Sequence, residues 1–183
     1  MNYYSVGIIN KIIDNSKDEE LADSIDKFYD DIRDCITYYC WRDIDQAYIN
    51  RLVEDETVKY AFRCMDTTEF YMSSVPSLMA YVVDKTEEID TYYILLICTK
   101  HQFKNMGYAS DLLQDFMEDV KEKCNKKGKP GKIVLSSIET AATFYEKIGF
   151  KWTRKCLSEY DVLLEYETCE EDKEYIMMEY AID

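Results

Sequence analysis

Lys104-Asn105-Met106-Gly107-Tyr108-Ala109 is the stretch that decides the fold. Just upstream, Thr91–Thr99 has strand length and contains Ile94-Leu95-Leu96-Ile97. Apolar residues on consecutive positions predict a central strand covered on both faces. Downstream, Ala109, Leu112, Leu113, Phe116, Met117, Val120 and Cys124 recur at helical spacing, the clearest period in the chain. A strand, a glycine loop and a long amphipathic helix place free backbone N–H groups and the positive end of a helix dipole beside the loop. A pyrophosphate is the natural guest there. A plain strand-to-helix turn reads the same way, because one glycine is a weak signal.

Working outward, the elements alternate in type. Tyr3–Ile9 predicts a first strand. Ser16-Lys17-Asp18-Glu19 is a capping box ahead of a helical face at Leu21, Ile25, Phe28, Ile32 and Ile36. A second helix is expected over about 43–53. Val58–Met65 and Leu78–Asp84 are β-branched or aromatic strands, and Asp84–Asp90 is a charged hairpin connection. Gly128, Pro130 and Gly131 end the long helix. Lys132–Ser137 predicts a strand, Thr140–Ile148 a helix closed by Gly149, and Phe150–Cys156 and Glu174–Ala181 two strands joined by a Glu-rich connection. The order gives an α/β fold around one mixed sheet.

Composition bounds the function. The 183 residues are 47% hydrophobic and 32% charged, an ordinary globular mix with length for one domain. A net charge of −15 makes a poor general nucleic-acid binder. A single histidine, His101, disfavours multi-imidazole zinc sites and His-based triads, so no metal is expected. Seven scattered cysteines without a CxxC read as free, buried thiols in a reducing compartment. The first ten residues lack the pattern of a secretory leader, and Tyr92–Cys98 is too short to span a bilayer. The expectation is a cytoplasmic protein that binds neither nucleic acid nor membrane; an oligomer is not readable.

Charge is unevenly spread. From Lys100 to Lys132 eight lysines face five acids, a net of +3, whereas the rest of the chain carries −18. Lys121, Lys123, Lys126, Lys127, Lys129 and Lys132 are its dense part. They suit either a polyanionic ligand or a solvated helix C-terminus.

A second cluster, Ala141-Ala142-Thr143-Phe144-Tyr145-Glu146-Lys147-Ile148-Gly149-Phe150, completes a pattern. KxxGxA before a long helix, then AxxFYEKxGF between two strands, resembles the GNAT superfamily of acetyl-CoA-dependent N-acetyltransferases over about 78–152. The resemblance implies a single-domain, mixed, centrally splayed β-sheet flanked by helices. Within residues 1–183 it implies an acceptor-side region at 1–77, an acetyl-CoA-binding core at 78–152 and C-terminal strands at 153–183. It also implies acetyl-CoA as co-substrate. Backbone N–H groups of Lys104, Asn105, Met106, Gly107, Tyr108, Ala109 and Ser110 would hold the pyrophosphate. The strand residues Ile97, Cys98 and Thr99 would lie along the pantetheine arm, with the Ile97 N–H polarising the thioester carbonyl. Tyr145 matches the tyrosine that protonates the leaving thiolate; a core tyrosine is the alternative, since the chain has 17 tyrosines. Lys104 stands where the family has Gln or Arg, and Ile138 where it often has Asn.

The base is open at this level. Histone-acetylating members carry a Glu where this chain has Tyr93. Glu88 and Asp90 could act through water or be hairpin charges. His101 could be a base or a phosphate contact. Cys98 reads as a packed strand residue. The expected activity is acetyl transfer to a primary amine. Nine acids against three bases over Asp14–Asp34 favour a cationic acceptor such as a polyamine. A peptide N-acetyltransferase and a non-catalytic acyl-CoA-binding module are the alternatives.

Overall fold

The computed structural model describes residues 2–15, 20, 23–24, 27, 31, 36, 39, 44–65, 74–86, 88–167 and 175–182. Seven strands are seen: β1 (Asn2–Ser5), β2 (Lys59–Cys64), β3 (Ser77–Lys85), β4 (Asp90–Thr99), β5 (Gly131–Ile138), β6 (Lys151–Trp152) and β7 (Tyr175–Ile182). They hydrogen-bond in the order β1-β2-β3-β4-β5-β7-β6. β4 and β5 are parallel, while β1/β2, β5/β7 and β6/β7 are antiparallel, so the mixed sheet expected from the sequence is present. The described helices are α1 (Val6–Asn15), α2 (Gln46–Glu54), α3 (Tyr108–Lys127), α4 (Glu139–Ile148) and the single turn α5 (Asp161–Leu164). The chain forms two compact units, Met1–Ala80 with Leu96–Leu112, and Tyr81–Leu95 with Leu113–Asp183.

In the first unit β1 pairs with β2 from Asn2↔Cys64 to Ser5↔Ala61, and Tyr4 stacks on Phe62 with centroids 5.4 Å apart. Asp45 caps α2 by accepting the Ala47 N–H at 2.7 Å. α2 buries Ile49 and Leu52, and the Tyr60 hydroxyl donates to the Leu52 carbonyl at 3.2 Å. The N-terminus departs from the expected strand over Tyr3–Ile9: four residues pair in β1, and the chain then turns helical. Ile8, Ile9, Ile12 and Ile13 form a stripe spaced by four, with Ile9 buried. That period outweighs the β preference of branched side chains. The capping box at 16–19 and its helical face at 21, 25, 28 and 32 lie outside the described residues; Ile36 is fully buried.

In the second unit the α3 side chain Phe116 meets Tyr81 and Tyr92 edge-on, at 4.8 and 6.1 Å. Gly131, at the start of β5, lies so close to α3 that any side chain there would overlap the Cys124 sulfur. β7 pairs with all eight residues of β5. The strand expected over Phe150–Cys156 shortens to Lys151–Trp152. Thr153 still donates its N–H to the Met177 carbonyl at 2.9 Å, but Arg154 adopts φ 61°, which turns the chain out of the ladder. The Glu-rich connection then holds a 3₁₀ turn, Leu157–Glu159, and α5.

Free thiols are seen at Cys64, Cys124 and Cys156, but Cys98 is disulfide-bonded. The expectation of uniformly free thiols therefore fails at Cys98. Spacing along the chain carried no signal of a pairing that folding brings about.

Candidate active site

The glycine loop lies within the first unit. The Lys100 N–H donates to the Pro76 carbonyl at 3.0 Å, which ties the end of β4 to the start of β3. A 3₁₀ turn, His101–Phe103, follows. Asn105 at φ 65° and Gly107 at φ 85° then reverse the chain into α3. A Cβ on Gly107 would meet nothing within 4 Å, so the left-handed backbone conformation, not crowding, selects glycine. Two N–H groups of the expected cradle are used inside the turn: Lys104 donates to His101 at 3.3 Å and Met106 to Phe103 at 3.4 Å.

The helix proper begins when the Asp111 N–H donates to the Gly107 carbonyl at 3.0 Å. The N–H groups of Gly107, Tyr108, Ala109 and Ser110 precede that first bond and have no helical acceptor. They are the donors that an anion would meet. Three contacts hold the helix start in place. Arg63 pairs with Asp111 at 2.5 Å, the Ser77 hydroxyl donates to the Tyr108 carbonyl at 3.2 Å, and Phe103 packs edge-on against Tyr108 at 5.5 Å. On the strand before the loop, Ile97 and Thr99 are half-buried and alternate with buried Leu96 and Cys98. The β4–β5 register runs from Asp90↔Gly131 only to Ile94↔Leu135, whereas β4 continues to Thr99. This is the early end of pairing that the splayed sheet requires.

Tyr145 lies in the second unit, on α4. That helix follows β5 directly, with exposed Ile138 as its N-cap residue, and ends at Gly149 with φ 110°. The left-handed glycine lets Phe150 return its N–H to the Tyr145 carbonyl at 3.1 Å. Tyr145 packs among Phe144 at 5.0 Å and Phe150 at 5.9 Å, and Phe150 reaches Tyr180 at 5.6 Å. Burial pushes the Tyr145 hydroxyl up to about 12, so it keeps its proton through the physiological range.

Several lysines of the basic island are engaged in ion pairs. Lys127 and Lys129 grip the buried Asp90 carboxylate at 2.5 and 2.7 Å, Lys123 pairs with Asp119 at 2.7 Å, and Lys132 with Glu179 at 3.6 Å. These lysines cluster at and beyond the C-terminal end of α3, about 30 Å along the helix from the loop. Asp90 is therefore neither a solvated hairpin charge nor placed for catalysis at the other end of β4. Glu88 and His101 are exposed. Tyr93 is buried, and its pKa is raised by burial and by the nearby carboxylates of Asp84, Glu179 and Asp161.

One carboxylate escaped the sequence reading. Glu167 stands just after α5, and its N–H donates to the Leu163 carbonyl at 2.8 Å. Its carboxyl lies near Ser136, the first β5 residue beyond the β4 register. Burial raises the Glu167 pKa, and the nearby Ser136 hydroxyl lowers it less. Nothing in the acidic run around it marks this glutamate out, because its partner is thirty-one residues away.

A mixed sheet whose central parallel pair parts early, a glycine turn feeding a long helix, and a half-buried tyrosine on the next helix define an acetyltransferase fold. Residues 77–160 match the acetyltransferase (GNAT) domain family, and the chain shares the fold of solved GNAT acetyltransferases. Solved structures similar to it include GCN5 of Tetrahymena, at 15% identity and TM-score 0.57, covering 87% of this chain and 89% of that one. Another is Naa50 of Arabidopsis thaliana in complex with the bisubstrate analogue CoA-Ac-MVNAL, at 19% identity and TM-score 0.55, covering 82% and 93%. A third is an IAA acetyltransferase of Bacillus cereus, at 14% identity and TM-score 0.52, covering 80% and 91%. Identities this low speak for the fold alone. Among curated proteins none matches the chain in sequence. Among the described residues no helix is long and apolar enough to cross a membrane.

Proposed function

We propose that the protein transfers an acetyl group from acetyl-CoA directly to a primary amine, with a cationic acceptor preferred. The observation that carries this reading is Tyr145, a desolvated hydroxyl held up to about 12 on the helix that follows β5. Such a group stays protonated at neutral pH and can donate to a departing sulfur. Acetyl-CoA would supply the activated acyl group as a thioester. The N–H groups of Gly107, Tyr108, Ala109 and Ser110 fit its pyrophosphate. The partly exposed Ile97 and Thr99 fit its pantetheine arm, and the Ile97 N–H fits the thioester oxygen. The region 1–77 would supply the acceptor side, 78–152 the cofactor core and 153–183 the closing strands.

A net charge of −15 supports the cationic preference, because an acidic protein concentrates cations at its surface. The test is thiol release from acetyl-CoA with a panel of polyamines, aminoglycosides, amino acids and N-terminal peptides. Amine-dependent release with product acetylated on nitrogen is expected. Binding of acetyl-CoA without release under any amine would make the protein an acyl-CoA-binding module.

A further inference from the structure

The second unit carries a basic depression that acetyl transfer does not use. Residues paired across strands share a face, and side chains alternate along each strand. Lys132 pairs with Ala181, and Val134 and Lys151 both pair with Glu179. Lys132, Ala181, Glu179 and Lys151 therefore stand on one face of β5, β7 and β6. Tyr92, Ile133 and Tyr180 take the other face, where Phe116 of α3 and Phe150 pack. An open depression of about 600 Å³ is lined by Lys132, Lys151, Lys155, Glu179, Ala181 and Trp152, among others. Ala181 offers only a methyl group to fill it.

Three lysines less one glutamate leave this lining a net charge of +2. The Tyr160 hydroxyl donates to Glu179 Oε1 at 2.9 Å. Lys132 and Lys155 approach the same oxygen only to 3.6 and 4.0 Å, too far for a hydrogen bond. Among the described residues Lys151 has no ion-pair partner. The donors of all three lysines remain available to a ligand. Lys132 and Lys151 lie on either side of β7, two strand spacings or about 10 Å apart. Charge spread over that distance suits a row of carboxylates better than one compact anion.

The sheet edge adds a second feature. β6 is the last strand in the sheet. The Thr153 N–H donates to the Met177 carbonyl at 2.9 Å. Hydrogen bonding alternates along an antiparallel ladder, so Trp152 turns its N–H and carbonyl away from β7 to the open edge. Its side chain is 55% exposed. An exposed aromatic ring and an outward backbone position, with Lys151 and Lys155 close by, suit the addition of an extended peptide. Lysines on a short edge strand also discourage unwanted pairing, but that role needs no depression beside them. Edge-to-edge pairing of two copies would set these lysines against their own counterparts, so charge selects an acidic segment of another protein.

We propose that this depression and the β6 edge dock an extended acidic peptide segment of a partner protein. Alternate carboxylates of the segment meet Lys132, Lys151 and Lys155, and its backbone meets Trp152. The site lies wholly within the second unit and does not depend on the acetyltransferase reading.

The test is fluorescence anisotropy of a labelled peptide of alternating Glu and Thr residues, titrated with the full chain at physiological ionic strength. The net charge of −15 repels such a peptide, so saturable binding reports the local excess of ammonium groups. Binding is expected, and it should weaken as salt rises. Lys151 and Lys155 are exposed, so the fold tolerates their reversal. Lys151→Glu with Lys155→Glu should weaken binding about tenfold or more. Ala181→Leu fills the depression without altering charge and should weaken binding as well. Absence of saturable binding, or equal affinity in the charge-reversed variant, overturns the proposal. So does loss on charge reversal with none in Ala181→Leu, which would mean diffuse attraction. Tighter binding of inorganic tripolyphosphate than of the peptide would overturn it in favour of a phosphate site. Self-association of the wild type that charge reversal abolishes would overturn it in favour of an interface between copies.

Discussion

The Tyr145 ring meets Phe150 edge-to-face, with centroids 5.9 Å apart and planes at 68°. Both residues belong to Phe144-Tyr145-Glu146-Lys147-Ile148-Gly149-Phe150, so the segment orients its own tyrosine. The left-handed Gly149 folds the chain back, and Phe150 then wedges between Tyr145 and Tyr180. Tyr145→Phe keeps every ring contact and deletes only the hydroxyl. It should bind acetyl-CoA as the parent does and lose about 10²–10⁴-fold in kcat. Unchanged kcat under conditions where chemistry limits turnover would reduce Tyr145 to a core residue.

Gly107 at φ 85° borders open space and heads the run of free N–H groups. Gly107→Glu adds strain of about 1–2 kcal/mol in the left-handed region and sets a carboxylate among donors meant for an anion. A ligand that binds only the native state raises stability by RT ln(1 + [L]/Kd). The acetyl-CoA thermal shift should therefore disappear in this variant while the fold persists. Calorimetry showing undiminished affinity would remove the pyrophosphate from this loop.

Asp90 makes a prediction about stability and pH. Burial alone would raise its pKa, but hydrogen bonds and charges from Lys127 and Lys129 more than offset that and hold it below 3.8. A carboxyl depressed on folding stabilises the native state above its unfolded pKa, and the contribution is lost as pH falls through the folded value. Asp90→Asn should cost about 1–3 kcal/mol at neutral pH. The gap from the parent should narrow as the pH falls below about 4. Urea titrations at several pH values check this, and a gap independent of pH would mean the lysines contribute no charge-dependent stability.

The acceptor preference should respond to salt. Exposed charges are screened beyond about 8 Å at physiological ionic strength. If the net charge of −15 steers the acceptor, kcat/KM for a polyamine should exceed that for a neutral amino acid at low salt, and the ratio should fall as salt rises. A preference for the neutral acceptor at every salt concentration would contradict electrostatic steering.

The region 78–152 was legible because its signals are local. The Ile94–Ile97 run, the α3 period and the FYEKIGF segment each act within one element, and each element formed close to where it was expected. The misreadings came where competing signals overlap or partners are distant. Ile8 and Ile9 carry strand preference inside a helical stripe, and Arg154 ends β6 by a backbone reversal that an arginine does not advertise. The lysine grip on Asp90 joins residues far apart in sequence. Periodicity cannot encode such pairs.

The most direct measurement follows free thiol and acetylated amine together, in one reaction of the full chain with acetyl-CoA and a primary amine. The account predicts one thiol released for each acetyl group found on nitrogen, with both rates falling together in Tyr145→Phe. Acetyl-CoA binding accompanied by no amine-dependent thiol release would contradict it.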